Sequence, residues 1–553
     1  MVVGFLFSLS RKILLLSLIF LLPEPVWAQG LCQLPDGLQP LSNCVDGSGN
    51  ALIGPSGGAN CERVVFDKSF TGAEALKRIT IEAGGEVYAA DGSLDVELEA
   101  IEVSGLLQIG SKECPIGTTD PSHQITMTFL GARPCPSPQA CDGFQKGIQV
   151  KAGGSLRLFG IKGVTGSETH GGTETGISWT HLSDAAGPED KYGPESGAKV
   201  PVPSGGSTTI QLHRDVTQGA GAWQPGDWIA IATTSFSSVE TEIVQIDSLG
   251  TNASGGTEVK LVQALKRYHF GGPDPGPPSL ATFNECHGFN YGVDERAEVG
   301  LLSRNIKLTA RIEAGENDRH WGGELIFLPG FQEVSVQGVQ IEKFGKDKLG
   351  AYPIHFHQDG DVQAQKPLVN SNSVHHSYNK CVTVHSTSNL TVENNVCARI
   401  VGHIFYQEIG DEEGIRFLNN LGLGAMSNHF NVFAASPEER EKKIADYWWP
   451  GDHLGQMASP DYNGYQAFDV YATDEQSNPV RGICAIPDPA GGPLILKQNP
   501  YVPPDVPGKC PDGQIYFEPA SGFWIINPGT DLIGNSIGGC QDVGRGYWYV
   551  PPR

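Results

Sequence analysis

Hydrophobic residues along much of the chain occur in short runs in which apolar and polar positions alternate. The clearest runs are ITIEAGGEVYA (79–89), IEVSGLLQIG (101–110), ITMTFLG (125–131) and IQVKAGGSLRLFG (148–160). A period of two is typical of β-strands with one buried face, and the intervening Gly residues favour turns. The best helix candidate is residues 436–449, which begin with a capping signature. The pattern predicts an all-β protein with short strands.

An asparagine-containing triplet recurs in the second half of the chain. Its copies are Asn372-Ser-Val374, Asn394-Asn-Val396, Asn419-Asn-Leu421 and Asn535-Ser-Ile537. The first three begin 22 and 25 residues apart, which fits one coil of a right-handed parallel β-helix with Asn at the turns and aliphatic residues inside. In this interpretation Val374, Val396 and Leu421 occupy equivalent inward positions in successive coils.

The charge and the N-terminus constrain the partners and the compartment. The formal net charge of −24 excludes a general nucleic-acid-binding protein, because phosphate binding needs a basic surface. Arg11 and Lys12 precede the apolar run Ile13–Leu22, and Val26-Trp27-Ala28 offers a cleavage site after Ala28. Residues 1–28 are therefore expected to be a signal peptide; a retained N-terminal anchor is the alternative. No later stretch is long and apolar enough to cross a bilayer. We therefore expect a secreted protein, extracellular or periplasmic, with no integral membrane segment after cleavage.

Export also bears on the twelve cysteines, which extend from Cys32 to Cys540. Their spacing lacks the paired Cys-x-x-Cys pattern that holds zinc, and in an oxidising compartment several are expected to form disulfides. Cys135 and Cys141 flank a Pro-rich loop and are candidates for a local bridge. The other pairings stay open, including those in the Cys-containing segment at residues 29–61.

Longer motifs resemble a known family. They are VSGLLQIGSKECPI (103–116), KGIQVKAGGSLRLFG (146–160), LGAYPIHFH (349–357), VHHSYNKCVTVH (374–385), VGHIFYQEIGDEEG (401–414) and FWIINPGTDLIGNSIGG (523–539). In order and spacing they are similar to the secreted and cell-surface hyaluronidases and fibrocystin-like proteins that carry an eight-glycine domain. The resemblance implies an eight-glycine β domain at residues 62–185 and a right-handed parallel β-helix at residues 186–553. It implies hyaluronan depolymerisation for some members only, because the fibrocystin-like members are not established as enzymes.

Histidines are concentrated in one part of the predicted β-helix. Six of the fifteen fall within 49 residues: His355, His357, His375, His376, His385 and His403. Residues two apart on a strand share a face, so His355 and His357 are predicted to point outward while Ile354 and Phe356 point into the core. If successive coils are in register, His357 stacks on His385 with ~4.8 Å between the strands.

An outward row of histidines bordered by carboxylates suits three kinds of chemistry. It can perform general acid–base catalysis, hold a divalent metal, or form a polar ladder that stabilises the face. A 22-residue offset places His385 over Gln407 in the next coil.

The candidate catalytic residues are His355, His357, His385 and His403, with Asp359 and Glu408 as carboxylate partners. Arg296 and Arg304 are the candidates for binding a substrate carboxylate, which Arg304 would hold in a bidentate manner. His375 and His376 are adjacent, so at most one faces a groove, and neither is expected to be essential. A divalent metal of unknown identity at the histidines is a variant of the same site.

Two functions of different classes remain. The first is a secreted enzyme that cleaves hyaluronan or a similar uronate-containing acidic polysaccharide, by hydrolysis or elimination. The second is a non-catalytic extracellular module that binds glycans or mediates adhesion. The histidines and carboxylates favour the enzyme, because a binding face has no need of groups that titrate near neutral pH. The acidic net charge favours the second function modestly, since an acidic polymer would need a local site.

Overall fold

The computed structural model describes residues 32–58, 60–135, 141, 143–168, 170–171, 174–188, 207–234, 240–271, 294–312, 321–346, 350–426, 484–486, 495–497, 515–516, 520–540 and 546–550. These residues form strands and two single-turn 3₁₀ helices, Leu41–Cys44 and Gly72–Glu74, and none of them is in an α-helix. The all-β prediction is confirmed. Accordingly, the described part of the chain contains no helix of the length and hydrophobicity needed to span a bilayer. The predicted helix at 436–449 and the predicted signal peptide at 1–28 lie outside the described residues.

Three parallel sheets, which we call sheets A, B and C, form the body of the protein. Sheet A contains, in spatial order, β1 (Gln39–Pro40), β3 (Arg63–Val65), β5 (Glu86–Ala89), β8 (Leu106–Ile109), β11 (Ser155–Phe159), β20 (Glu333–Gln337), β23 (Leu368–Asn370), β26 (Thr391–Glu393), β29 (Arg416–Leu418) and β35 (Asp531–Ile533). Sheet B contains β2 (Ala51–Ile53), β4 (Arg78–Ile81), β7 (Ala100–Val103), β10 (Gly147–Val150), β19 (Glu324–Phe327), β22 (Ile354–Asp361), β25 (Val382–Ser388), β28 (Phe405–Gln407), β34 (Phe523–Ile525) and β37 (Tyr547–Tyr549). Sheet C contains β6 (Leu94–Leu98), β9 (Ile125–Phe129), β18 (Ile306–Ala310), β21 (Val339–Glu342), β24 (Ser373–Ser377), β27 (Val396–Val401), β30 (Leu421–Met426) and β36 (Ser536–Cys540). A small antiparallel sheet consists of β31 (Cys484–Ile486), β32 (Ile495–Lys497) and β33 (Ile515–Tyr516).

From β6 onwards, successive strands of the β-helix belong to sheets C, B and A in that repeating order. Each coil therefore adds one strand to each sheet. Strands β21, β22 and β23, for example, pair in parallel with β24, β25 and β26 of the next coil. The predicted eight-glycine region supplies the early coils of the same solenoid, because β9, β10 and β11 pair directly with β18, β19 and β20. The predicted parallel β-helix is confirmed, and apolar side chains from all three sheets fill one continuous core.

Between β11 and β18 the chain leaves the β-helix and forms an antiparallel sheet, which we call the inserted sheet. In spatial order it contains β12 (Trp179–His181), β17 (Glu298–Leu301), β14 (Trp228–Ile231), β15 (Glu242–Thr251), β16 (Thr257–Leu261) and β13 (Thr209–Gln211). The turn at residues 252–256 joins the paired residues Thr251 and Thr257, and so tight a connection can link only antiparallel neighbours. The predicted continuous β-helix from residue 186 is therefore wrong for this stretch, and the helix resumes at Ile306.

Asparagine side chains form a ladder along one edge of the coils. Asn372, Asn395, Asn420 and Asn535 are stacked, and each of the first three donates from Nδ2 to Oδ1 of the next at 3.0 Å. The ladder satisfies buried polar groups that would otherwise destabilise the core. The predicted repeat is real, and its second and third copies are in register as predicted. The first and last copies are displaced by one residue, since Asn372 and Asn535 align with Asn395 and Asn420.

This shift changes which face the neighbouring valines occupy. Val374 is in register with Cys397, and both point into the β-helix core. Val396 is in register with Leu421, but both point away from the helix axis and are buried against the inserted sheet. A Cβ atom at Gly300 of β17 would lie 2.6 Å from Val396 Cγ1, which shows how closely the two layers approach. The predicted equivalence of Val374 with Val396 is wrong, because a shift of one residue moves a side chain to the opposite face of its strand.

Four disulfides join cysteines of the described residues: Cys32–Cys114, Cys44–Cys61, Cys135–Cys141 and Cys381–Cys397. The predicted local bridge between Cys135 and Cys141 is confirmed. The bridge between Cys381 and Cys397 lies in the core and connects the start of β25 to β27. It therefore holds together two elements beside the histidine-rich part of sheet B.

A buried carboxylate on the inserted sheet leads to a prediction about stability. Glu298 accepts a hydrogen bond from Ser536 Oγ on β36, and burial raises the pKa of Glu298. Because the folded-state pKa is raised, the contribution of this carboxyl group to the free energy of unfolding depends on pH. The contribution is fully present below the unfolded-state pKa of about 4.3 and is lost as the pH rises through the folded-state pKa. We expect Glu298→Gln to raise the thermal unfolding temperature at pH 7.5 and to have little effect near pH 4.

The control for this experiment is Glu74→Gln, which replaces an exposed glutamate by the same residue. Thermal unfolding at the two pH values should show no comparable pH-dependent gain for that control. A Glu298→Gln protein that is less stable than the wild type at pH 7.5 would contradict the prediction.

Candidate functional site

The candidate site lies on the outer face of sheet B, where β22 and β25 are neighbours. In β22 the side chains of Ile354 and Phe356 are fully buried in the core, so that His355 and His357 point to the opposite face. His385 of β25 is in register with His357. The predicted alternation and the predicted register of His357 with His385 are confirmed, although the two rings meet edge to face, at 71°, and are not stacked.

The imidazole rings of His355, His357 and His385 form a compact group, which we call the histidine cluster. Ring centroids are 4.9 Å apart for His355 and His357, 4.9 Å for His357 and His385, and 6.1 Å for the nearly parallel rings of His355 and His385. The Nδ1 atoms of His357 and His385 are 3.2 Å apart, and one ring nitrogen from each of the three residues lies within 4.8 Å of the others. Nitrogen atoms that converge in this way can exchange protons or share a cation.

His355 is held in one orientation by the main chain. Its Nδ1 lies 2.9 Å from the carbonyl oxygen of Gly350, and because a carbonyl only accepts, we assign the ring hydrogen to Nδ1. The other nitrogen, Nε2, is buried and makes no hydrogen bond to any described residue. Burial, followed by the proximity of His357 and His385, lowers the pKa of His355 well below its usual value. The ring is therefore neutral at pH 7 and has its lone pair on Nε2.

A bulge in β22 lies between the histidines of this strand and the carboxylate of Asp359. The register with β25 shifts after His357, where Gln358 has a φ of +59°. The main-chain N–H of Asp359 then donates to Thr387 Oγ1 at 3.2 Å. Burial raises the pKa of Asp359 to about 7.

A second carboxylate comes from the next coil. Glu408 directly follows β28, and its Oε2 lies 3.6 Å from Nδ1 of His385. The predicted offset of 22 residues is wrong here, because Val384 and not His385 aligns with Gln407. The buried carboxylate of Glu412 fixes this loop by accepting hydrogen bonds from the main-chain N–H groups of Ser386, Glu408, Ile409 and Gly410.

The cluster belongs to a row of outward side chains that crosses six coils of sheet B. In register along the row are Ile326, His355, Thr383, Tyr406, Trp524 and Trp548. The ring centroids of Tyr406 and Trp524 are 6.4 Å apart and those of Trp524 and Trp548 are 5.3 Å apart. One side of the cluster is therefore continued by aromatic rings that follow the axis of the solenoid.

Two family models match the chain. A G8 domain matches residues 60–183, and a CEMIP beta-helix matches residues 320–478, which include the whole histidine cluster. In sequence, residues 60–183 therefore resemble a G8 domain and residues 320–478 resemble the β-helix of CEMIP.

Several known proteins are similar in sequence to part of this chain. The chain is 29% identical over 364 residues to the cell migration-inducing and hyaluronan-binding protein of Mus musculus. This match covers 62% of this chain and 20% of the mouse protein. It is 30% identical over 369 residues to the cell surface hyaluronidase CEMIP2 of Homo sapiens (64% and 21% covered) and 26% identical over 402 residues to a G8 domain-containing protein of Dictyostelium discoideum (72% and 22% covered). The chain spans about a fifth of the length of these relatives.

Among solved structures, the tailspike of Acinetobacter baumannii bacteriophage AP22 in complex with capsular saccharide is similar with a TM-score of 0.16 and 10% identity. The match covers 63% of this chain and 53% of the tailspike chain. A similarity of this size carries no argument about the site.

His403 lies in the same β-helix but outside the histidine cluster. It is fully buried, its ring is stacked on Tyr406 at 5.3 Å, and its Nδ1 accepts a hydrogen bond from the main-chain N–H of Ser521 at 3.2 Å. The predicted convergence of four histidines therefore holds for His355, His357 and His385 only.

The two arginines predicted to bind a substrate carboxylate are buried. Arg304 is 1% exposed and donates to the main-chain oxygens of Leu301, Ser303 and Ser371, and burial lowers its pKa to about 9. Arg296 is 3% exposed and donates to the carboxylate of Asp294. Arg304 thereby joins the inserted sheet to Ser371 of the β-helix, whereas Arg296 pairs with Asp294. Both guanidinium groups are buried, so their predicted contact with a substrate carboxylate stays a prediction.

A second group of titratable residues lies on sheet C, under the inserted sheet. His375 and His376 are buried, and their Nδ1 atoms are 2.8 Å apart beside Glu342. Burial would raise the pKa of Glu342, but Lys307, at 2.7 Å, and the other cations around it hold that pKa well below its usual range. No pattern in the sequence marks this group beyond the adjacent histidines, because Glu342 comes from the preceding coil. The burial of both histidines agrees with the expectation that at most one of them faces a groove.

Proposed function

We propose that this chain is a secreted carbohydrate-active protein that depolymerises hyaluronan or a similar uronate-containing acidic polysaccharide. The observation that carries the proposal is the convergence of His355, His357 and His385 on the outer face of sheet B, with the carboxylate of Glu408 3.6 Å from His385. Related proteins named hyaluronidases support the choice of substrate.

The proposed chemistry needs a group that moves a proton at the glycosidic bond. Hydrolysis requires a proton on the leaving oxygen, and elimination requires removal of a proton from the uronate ring. Our candidates for this role are the carboxylates of Glu408, which lies 3.6 Å from the imidazole of His385, and of Asp359, which follows His357 in β22. The side chains of Tyr406 and Trp524 continue the same face beside the cluster, with Trp524 buried and Tyr406 partly exposed.

A non-catalytic glycan-binding module is the second candidate. The observation in its favour is that Arg296 and Arg304, the two side chains expected to hold a substrate carboxylate, are both buried. The chain has a net negative charge, and without contacts from these two arginines it has fewer cationic groups to hold an acidic polymer in position for cleavage.

The test is incubation of the full chain with hyaluronan, chondroitin, and bacterial and algal uronates. Size-exclusion chromatography would follow polymer length, and ultraviolet absorbance of the unsaturated product would report elimination. We expect hyaluronan or another uronate polymer to shorten with time. Binding of a polymer without any change in its length would favour the glycan-binding module, and neither binding nor cleavage would remove both candidates.

A further inference from the structure

We infer that the histidine cluster is a binding site for a divalent transition-metal ion of the zinc class, with His355, His357 and His385 as nitrogen ligands and Glu408 as the oxygen ligand. The inference concerns metal binding and holds whether or not the chain cleaves a glycan.

The spacing of the donor atoms is the first support. Two ligands bound at about 2.0–2.1 Å to a tetrahedral ion lie roughly 3.3 Å apart. The Nδ1 atoms of His357 and His385 are 3.2 Å apart, and a nitrogen of His355 lies within 4.8 Å of both. Small rotations of the side chains bring all three nitrogens to one ion, because His357 and His385 are only partly buried.

The orientation of His355 is the second and independent support. The hydrogen bond from its Nδ1 to the carbonyl oxygen of Gly350 leaves the lone pair on Nε2, and Nε2 is a buried atom without a hydrogen bond among the described residues. An unsatisfied buried polar atom costs free energy unless it finds a partner. A metal-bound histidine whose other ring nitrogen donates to a main-chain carbonyl is the usual arrangement in metalloproteins.

The fourth ligand and the chemical class of the ion follow from the same geometry. Glu408 Oε2 is 3.6 Å from His385 Nδ1, and the loop that carries Glu408 is fixed by Glu412. Three imidazoles with one carboxylate suit zinc, cobalt, nickel or copper, whereas calcium and magnesium prefer sites made of oxygen ligands.

The group on sheet C is a poorer site for a cation. The carboxylate of Glu342 is already paired with Lys307 at 2.7 Å and approached by Lys343 at 3.9 Å. A metal ion at His375 and His376 would face these positive charges at short range. We therefore expect one ion to bind within the described part of the chain.

The experiment uses Co²⁺ as a spectroscopic probe with the full chain after treatment with a chelator. We expect one equivalent of Co²⁺ to produce the visible absorption of a tetrahedral nitrogen- and oxygen-ligated ion, and Zn²⁺ but not Ca²⁺ to displace it. His357→Gln and His385→Gln are the test variants, because both side chains are partly exposed and their replacement should leave the fold intact. Each should weaken Co²⁺ binding by about 100-fold or more.

His213→Gln is the matched control, since His213 is an exposed histidine on the inserted sheet, and it should bind Co²⁺ as the wild type does. Circular dichroism and thermal unfolding would verify that each variant is folded. The inference is overturned if the wild type gives no visible Co²⁺ absorption, if both test variants keep wild-type affinity, or if Ca²⁺ displaces Co²⁺ as readily as Zn²⁺ does. Metal binding without cleavage of any polymer would support this inference and contradict the proposed function, and cleavage without metal binding would do the reverse.

Discussion

Replacing His357 or His385 by alanine, one at a time, is expected to lower the rate of polysaccharide cleavage by about 10²-fold or more. Each variant removes one of the two imidazoles whose Nδ1 atoms are 3.2 Å apart at the centre of the histidine cluster. Because both side chains are outside the hydrophobic core, the thermal unfolding temperature should change little. The measurement is the initial rate of polymer shortening, compared with thermal unfolding of the same preparations.

His213→Ala serves as the control, since it removes an exposed histidine from the inserted sheet. It should retain the full rate. Loss of stability in proportion to the loss of rate in the His357 and His385 variants would favour a structural ladder of imidazoles over a catalytic site. Full activity in both variants would leave the proposed enzyme without its named residues.

Replacing Val396 by aspartate should lower the free energy of unfolding by roughly 3–5 kcal/mol. Val396 is fully buried between sheet C and the inserted sheet, where its neighbours are apolar. The substitution loses the burial of an aliphatic side chain and places a carboxyl group where no hydrogen-bond partner is at hand. Chemical denaturation would measure the difference, which should diminish at low pH as the carboxyl group is protonated.

The matched control is Val262→Asp, because Val262 is 53% exposed on the inserted sheet. Its free energy of unfolding should stay within about 0.5 kcal/mol of the wild type. An equally small effect of Val396→Asp would mean that the inserted sheet does not cover this face of the β-helix in solution.

The β-helix was predictable because its signals are local. Alternation with a period of two and a coil-length repeat both depend on residues close in sequence, and both are confirmed. The register of the coils was not predictable, because asparagines with two different structural roles are adjacent in the sequence. Asn395 and Asn420 build the ladder, whereas Asn394 and Asn419 take φ values of +56° and +53°, a conformation that asparagine tolerates better than most residues. A repeat aligned on asparagine alone cannot separate these two causes.

The site was predictable to the same extent. The strand alternation places His355 and His357 on one face, and the coil repeat places His385 beside them, so the sequence contains the cluster. The burial of Arg304 was out of reach, because it depends on the inserted sheet, whose packing brings Leu301 and Ser371 together from distant positions. The role of Glu412 was likewise hidden, since a carboxylate that accepts from main-chain N–H groups resembles any acidic loop residue in the sequence.

The packing of the inserted sheet on Val396, Ala398, Leu421 and Leu423 also bears on how the protein unfolds. In a solenoid whose coils touch only their neighbours, the end coils fray independently and unfolding proceeds coil by coil. Here the inserted sheet, which precedes those coils in the sequence, packs across several of them at once. A terminal coil therefore cannot separate from its neighbours unless the inserted sheet separates as well. We expect hydrogen exchange in β24, β27 and β30 to occur as one cooperative unit, and the long-range contacts to raise the contact order and slow folding.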